Sequence, residues 1–255
     1  MKEIKILSVG NSFSDDTMWC LPQVARAFGV ENIKLGNLYV GGCSIRQHHA
    51  HITGDLPVYA YRRNTGGDYW VTVSGWRISE AIASGDWDVI SIQHGTGDGS
   101  YYTDPVYYEK LGALVAEVKR QAGDRTKIAF NMTWVGEPDR KHHEIEAFGG
   151  DQMEIYRRIC ALTRELILPM EGIDMVSPTG TAIQNARTMV SERLTRDGYH
   201  LDKVFGRYVA ALTFFCALTG ASADGARVPD GITPEAWSRA VAAAKHAISN
   251  PFNVT

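Results

Sequence analysis

Short apolar runs recur along this chain at intervals that suit strands alternating with helices. Residues 4–9, 33–40, 89–93, 128–134 and 173–176 are compact, largely apolar and of strand length. Longer stretches between them carry a helical period. Over residues 105–122, Tyr107, Leu111, Leu114, Val115 and Val118 share one face, with Glu117, Lys119 and Arg120 opposite. Residues 152–167 align Met153, Tyr156, Ile159 and Leu166 in the same way. Residues 203–218 are nearly all apolar, which predicts a well-buried helix. Thr233-Pro234-Glu235 reads as a helix start, with a Thr cap, Pro at the first position and an acid in the first turn. The alternation predicts an α/β fold, a three-layer α/β/α sandwich on a mainly parallel five-stranded sheet covered on both faces. No repeat, low-complexity tract or long linker divides the chain, so residues 1–255 are expected to form a single domain.

One segment breaks the alternation. Between Tyr59 and Trp76, the pair Gly66-Gly67 separates aromatic and β-branched stretches, the pattern of a hairpin. It predicts an insertion over about residues 55–80, with two roles open to it: walling a site, or packing against the sheet edge.

The candidate chemistry lies at the two ends of the chain. Gly10-Asn11-Ser12 follows the first predicted strand, and Asp197-Gly198-Tyr199-His200 lies near the C-terminus. A serine is a weak nucleophile until a base takes its proton. Histidine is such a base near neutral pH, and a carboxylate can fix its tautomer. In open parallel sheets, sites form beyond the carboxyl ends of the strands. A spacing of three puts Asp197 and His200 on one face of a turn. Asp15 and Asp16 are positioned to cap the helix after Ser12, and either is a fallback acid should Asp197 be misplaced.

Taken in order, these motifs resemble those of the SGNH (GDSL-type) serine hydrolase superfamily, in a bacterial branch of it. The resemblance implies a flavodoxin-like sheet and a catalytic triad of Ser12, Asp197 and His200. Its second block is matched by Val40-Gly41-Gly42-Cys43-Ser44, which makes Gly42 an oxyanion-hole glycine. Its third block, Gly-x-Asn-Asp, is matched by Gly95-Thr96-Gly97-Asp98, with Gly97 where asparagine is usual. Losing one oxyanion donor costs roughly 10²–10³ in rate. Carbohydrate-esterase relatives carry a glutamine just before the glycine, so the resemblance implies that Gln93 supplies the missing donor. The oxyanion hole is then Ser12, Gly42 and Gln93. The implied reaction is hydrolysis of a carboxylic ester through an acyl-enzyme, without metal or organic cofactor. A small acyl group such as acetyl, on a carbohydrate or other polar alcohol, is the expected substrate.

Three residues are expected to touch substrate: Asn11 in the first block, His94 after the third strand, and Trp134 at the end of the fourth. The competing roles are a braced histidine for His94 and a core aromatic for Trp134. His48, His49 and His51 form a dense run. Two of them are adjacent and point different ways, and no spaced carboxylate or cysteine completes a metal set, so no metal is expected there. They read as a solvated loop, or as contacts to a polar substrate. His142-His143-Glu144 reads as exposed loop. Cys20, Cys43, Cys160 and Cys216 form no C-x-x-C pair and read as reduced thiols. Cys43, beside Gly42, reads as a small residue in a tight turn.

Composition narrows the partners. Of the 255 residues, 44% are hydrophobic and 22% charged, enough to bury a sizeable core. A net charge of −3 offers nucleic acid no attraction. No apolar run is long enough to span a membrane. The start, Met-Lys-Glu-Ile-Lys, has no signal-peptide pattern, so a cytoplasmic location is expected. The expected partner is a small-molecule or glycan ester, and the oligomeric state is unassigned. Two alternatives stand beside the esterase: a weak or inactive carbohydrate-binding protein on the same fold, and a lipase or thioesterase of the same mechanism. A dinucleotide-binding module fares poorly, because Gly-Asn-Ser-Phe-Ser lacks the glycine spacing a pyrophosphate requires.

Overall fold

The computed structural model describes residues 3–67, 69–95, 105–139, 146 and 148–255. Strand β1 (Ile4–Gly10) is buried from Ile6 onward. Ile6 faces one helical layer while Leu7 and Val9 face the other, as the two-residue period of a strand requires. β2 (Ile33–Tyr39) and β5 (Val89–Gln93) flank β1 in parallel, followed by β6 (Lys127–Asn131) and β7 (Met175–Ser177). The hairpin strands β3 (Tyr59–Asn64) and β4 (Val71–Trp76) continue the sheet antiparallel beyond β2, with Leu35 opposite Asn64 and Tyr39 opposite Ala60.

The order β4-β3-β2-β1-β5-β6-β7 is therefore a seven-stranded mixed sheet, larger than the five parallel strands expected. The correction comes from the hairpin. Its first strand pairs with β2 along the main chain, so it extends the sheet instead of standing over it. Gly36 makes this join close: a Cβ there would lie 2.8 Å from the Tyr61 hydroxyl and 2.9 Å from Leu7 Cδ1. The fourth apolar run also leaves the sheet earlier than expected, after Asn131. Met132 turns away, with its N–H on Ser177 and its carbonyl accepting from Gly180.

Helices cover both faces. On one side lie α1 (Ser12–Met18), α2 (Leu21–Ala27), α7 (Thr179–Met189), α8 (Phe205–Thr219) and α9 (Pro234–Ser249). On the other lie α3 (Ile45–Thr53), α4 (Ile78–Ala83) and α5 (Pro105–Ala122). α6 (Gln152–Leu162), prolonged by a π turn (Thr163–Ile167), packs in a smaller cluster with Met132 and Val135. The expected apolar face of α5 is buried, and α8 is buried from Gly206 to Cys216. Among the described residues no helix is long and apolar enough to cross a membrane.

The chain runs outward from β1 to β4, then returns to the opposite side of β1 at β5. The carboxyl ends of β1 and β5 thus border the point where the winding reverses, where open α/β sheets place their ligands.

Candidate active site

β1 ends at Gly10, where a Cβ would meet Ser14 Oγ at 2.7 Å and Gln93 Cδ at 3.0 Å. Only glycine fits. Asn11 caps α1, and Ser12 is the first, half-buried residue of that helix. The Asn11 amide ties three segments together. Its Oδ1 accepts from the Phe13 N–H and from Gln93 Nε2, both at 3.0 Å, and its Nδ2 donates to the Cys43 carbonyl at 3.0 Å. That last bond draws the turn containing Gly42 beside Ser12. The turn is closed by Cys43 N–H to the Val40 carbonyl at 3.2 Å, and Gly42 takes φ +64°, a conformation that favours glycine. Among the described residues neither the Ser12 nor the Gly42 N–H donates to a protein group.

Asp197 and His200 form a self-contained turn. Asp197 Oδ1 accepts from the N–H groups of Tyr199 (3.0 Å) and His200 (2.8 Å), and Oδ2 lies 2.5 Å from His200 Nδ1. Gly198, at φ +86°, allows the chain to fold back this tightly. Burial pushes the Asp197 carboxyl up, but the His200 ring and the two N–H groups outweigh it and hold it down at about 2. The carboxylate is thus ionised and can only accept, so Nδ1 carries a proton toward it and Nε2 points away from the pair.

Asp16 brings the two ends of the chain together. It is fully buried, and its carboxylate binds Arg207 Nε at 2.8 Å, Arg196 Nη1 at 3.0 Å and the Leu201 N–H at 2.8 Å. Arg196 also donates to the Leu201 carbonyl. The loop holding His200 is thereby fastened to the helix holding Ser12. Aromatic packing seals the same seam. Phe13 stacks on Tyr199 at 5.1 Å, Trp134 meets Phe13 edge-on at 4.5 Å, and Trp134 Nε1 donates to the Tyr199 carbonyl at 2.9 Å. Ser12 Oγ and His200 Nε2 are not hydrogen-bonded to each other in this arrangement. Such contacts commonly tighten only around substrate.

The expected substrate contacts are differently placed. Asn11 is buried, with both ends of its amide committed to the framework. Trp134 is core, wedged between Phe13 and the Tyr199 loop. His94 is buried, 2.8 Å from Thr133 Oγ1 and stacked on Phe130. Each lies near the strand ends, as expected, but faces into packing. Gln93 is buried too, with one amide N–H spent on Asn11. Gly97, Asp98 and residues 142–144 lie outside the described residues. Asp16, expected to cap the helix after Ser12 or to stand in as the acid, instead anchors the His200 loop, and Asn11 is the cap; its partners Arg196 and Arg207 were not singled out in the sequence. Their one sequence signal is a lone arginine, Arg207, inside an otherwise apolar helix.

Burial pushes His94 down to about 4, so it is neutral in the fold. An unfolded histidine protonates near about 6.5. Between those values the unfolded chain binds more protons, so stability falls as pH falls. The urea midpoint is expected to drop from about pH 6.5 to pH 4, and His94→Asn to flatten that slope. An unchanged slope in the variant would exclude His94 as its source.

A doubly wound sheet with Ser12, the Asp197–His200 pair and the Gly42 turn at its carboxyl ends is a hydrolase-like α/β fold. Residues 5–247 match the family described as a domain of unknown function, DUF4886, and the chain belongs to that family. The structure is similar to that of a DUF4886 family protein from Bacteroides uniformis ATCC 8492, with a TM-score of 0.92 at 34% identity, covering 100% of this chain and 98% of that one. It is also similar to a catalytic mutant of Axe2, an acetylxylan esterase from Geobacillus stearothermophilus, with a TM-score of 0.54 at 15% identity, covering 88% and 97%. LAE5, an alpha/beta hydrolase enzyme from the metagenome of Lake Arreo, Spain, gives 0.55 at 15% identity, covering 84% and 94%. At that identity the last two are likenesses of fold. No curated protein matches the sequence.

Proposed function

We propose that this protein is a serine esterase of the SGNH type, acting on small acyl esters of carbohydrates or other polar alcohols. The observation that carries the reading is the Asp197–His200 pair, its carboxylate against the His200 ring, fastened through Asp16 to the helix that begins at Ser12. Ser12 Oγ attacks the ester carbonyl carbon while His200 Nε2 takes its proton. The charge that develops on the carbonyl oxygen meets the unpaired N–H groups of Ser12 and Gly42. Collapse expels the alcohol, which takes the proton back from His200. Water, activated by His200, then attacks the acyl-serine, releasing the acid and restoring Ser12. Gln93 acts at one remove: it holds Asn11, which fixes both the start of α1 and the Gly42 turn. An acetylated glycan is the preferred substrate, because Axe2, which shares the fold, is named as an acetylxylan esterase.

The test is labelling by a fluorophosphonate, with the adduct located by mass spectrometry, beside acetate release from acetylated xylo-oligosaccharides. An adduct on Ser12 together with acetate release is expected. No adduct on Ser12 and no turnover of any acetyl ester would sink the reading.

A further inference from the structure

The run His48–His51 is not a solvated loop. It lies on α3, which Ser44 caps through Gln47 in a reciprocal box. On a helix, residues three apart share a face, so His48 and His51 point the same way, and that way leads beneath the Gly42 turn. Cys43 supplies the sulfur that no regular spacing announced. Its Sγ lies 3.5 Å from His48 Nδ1 and 3.9 Å from His51 Nδ1. The Tyr59 hydroxyl closes the group, 2.7 Å from His48 Nδ1 and 3.2 Å from His51 Nδ1.

From these positions we infer a metal site: Cys43, His48 and His51, with the Tyr59 oxygen as fourth donor, form a site for a thiophilic divalent cation, Zn²⁺ in particular. The spacing is the first argument. Around tetrahedral zinc, bond lengths of about 2.3 Å to sulfur and about 2.0 Å to nitrogen set sulfur and nitrogen about 3.5 Å apart and two nitrogens about 3.3 Å apart. The two sulfur-to-nitrogen separations, 3.5 and 3.9 Å, already fall near the first of those values, and the three Cys and His ligand atoms all lie within 4.8 Å of one another.

Burial is the second argument: His48 and Cys43 are both withdrawn from solvent, with the His51 ring only partly exposed beside them. Binding through Nδ1 puts each ring proton on Nε2. For His48 that atom is buried without a partner among the described residues. One unpaired N–H is a small penalty beside the free energy of a structural zinc bond. On binding, Cys43 gives its thiol proton to solvent, and the thiolate cancels one of the two metal charges. Access is from the His51 side, since His51 and the neighbouring Gly41 and Gly42 are reached by solvent. With every position filled by protein, the site is structural in type. It would brace the turn that presents the Gly42 N–H.

The experiment is a titration of metal-stripped, reduced protein with Co²⁺, followed by Zn²⁺. One equivalent of Co²⁺ is expected to give a thiolate-to-cobalt charge-transfer band, which Zn²⁺ displaces. Cys43→Ser is expected to lose the band and to weaken zinc binding by at least about 100-fold. His51→Ala, at a partly exposed position, keeps the fold available should Cys43→Ser misfold, and is expected to weaken binding comparably. Absence of the band and of stoichiometric zinc in the wild type would overturn the inference. So would equal zinc binding by the wild type and both variants, since the metal would then sit elsewhere. Neither outcome bears on whether Ser12 is a nucleophile.

Discussion

Replacing Ser12 by alanine is expected to lower kcat/KM on acetyl esters by about 10⁴-fold or more, a loss of about 5.5 kcal/mol of transition-state stabilisation. The alanine removes the atom on which the proposed acyl-enzyme would form but leaves the Gly42 N–H and the fold in place, so some acceleration over water should survive. His200→Ala should cost about as much, because an uncharged serine attacks poorly without its base. The double variant should be scarcely worse than either single one, since the two groups act as a unit. Asp197→Asn should keep the turn, because an amide oxygen can still accept from the Tyr199 and His200 N–H groups. It should nevertheless lose most of the rate, because the imidazole is then free to adopt the wrong tautomer. The measurement is initial rate on p-nitrophenyl acetate and on longer esters, with purity of the variants checked by the same fluorophosphonate. A Ser12→Ala enzyme that keeps more than a tenth of the wild-type rate would end the covalent reading.

The architecture was readable where burial and periodicity speak with one voice. The residues of β5 and the bounds of α5 agree with the expectation because a fully buried strand is largely apolar, here Val89, Ile90 and Ile92, and an amphipathic helix repeats its face. The hairpin was visible from Gly66-Gly67, but its pairing partner was not. Turn chemistry fixes how two strands join each other and says nothing of which sheet edge they reach. α3 was missed although Ser44-Ile45-Arg46-Gln47 is a capping box, because three polar histidines dilute the apolar period that follows it.

The site divides along a similar line. The order of its blocks shows in sequence because backbone geometry at strand ends demands particular residues: Gly10 for close approach, Gly42 and Gly198 for positive φ. Side-chain direction at those same ends is a property of packing. Trp134, His94 and Asn11 all lie on the correct edge of the sheet, yet each turns inward to partners contributed by distant segments. Asp16 is the extreme case, since its partners stand 180 to 191 residues away.

That distance makes Asp16 the position where a single change should do most harm to the fold. Its carboxylate answers two guanidinium groups, one of them on the buried Arg207, and the backbone N–H that follows His200. Asp16→Ala would leave Arg207 charged, desolvated and unpaired except for its stacking on Trp19 at 5.0 Å. Breaking a buried ion pair from one side costs about 3–5 kcal/mol, against a total stability of about 5–15 kcal/mol for a domain. A large fall in the urea midpoint is therefore expected. Asp15→Asn is the control. Asp15 pairs with Arg62 and accepts from Asn37 at 2.6 Å, in a partly exposed position, and among the described residues makes no hydrogen bond or ion pair to the His200 loop. It should cost about 1 kcal/mol or less. A purely structural Asp16 would affect stability alone. The geometry demands more, because the Leu201 N–H and Arg196 register His200 against α1. At low temperature, where Asp16→Ala remains folded by circular dichroism, kcat should stay depressed by about ten-fold or more, the scale expected for a misplaced base. Fluorophosphonate labelling of Ser12 should slow in parallel. A folded Asp16→Ala enzyme with wild-type kcat and labelling rate would show that the two ends of the chain find their register without it.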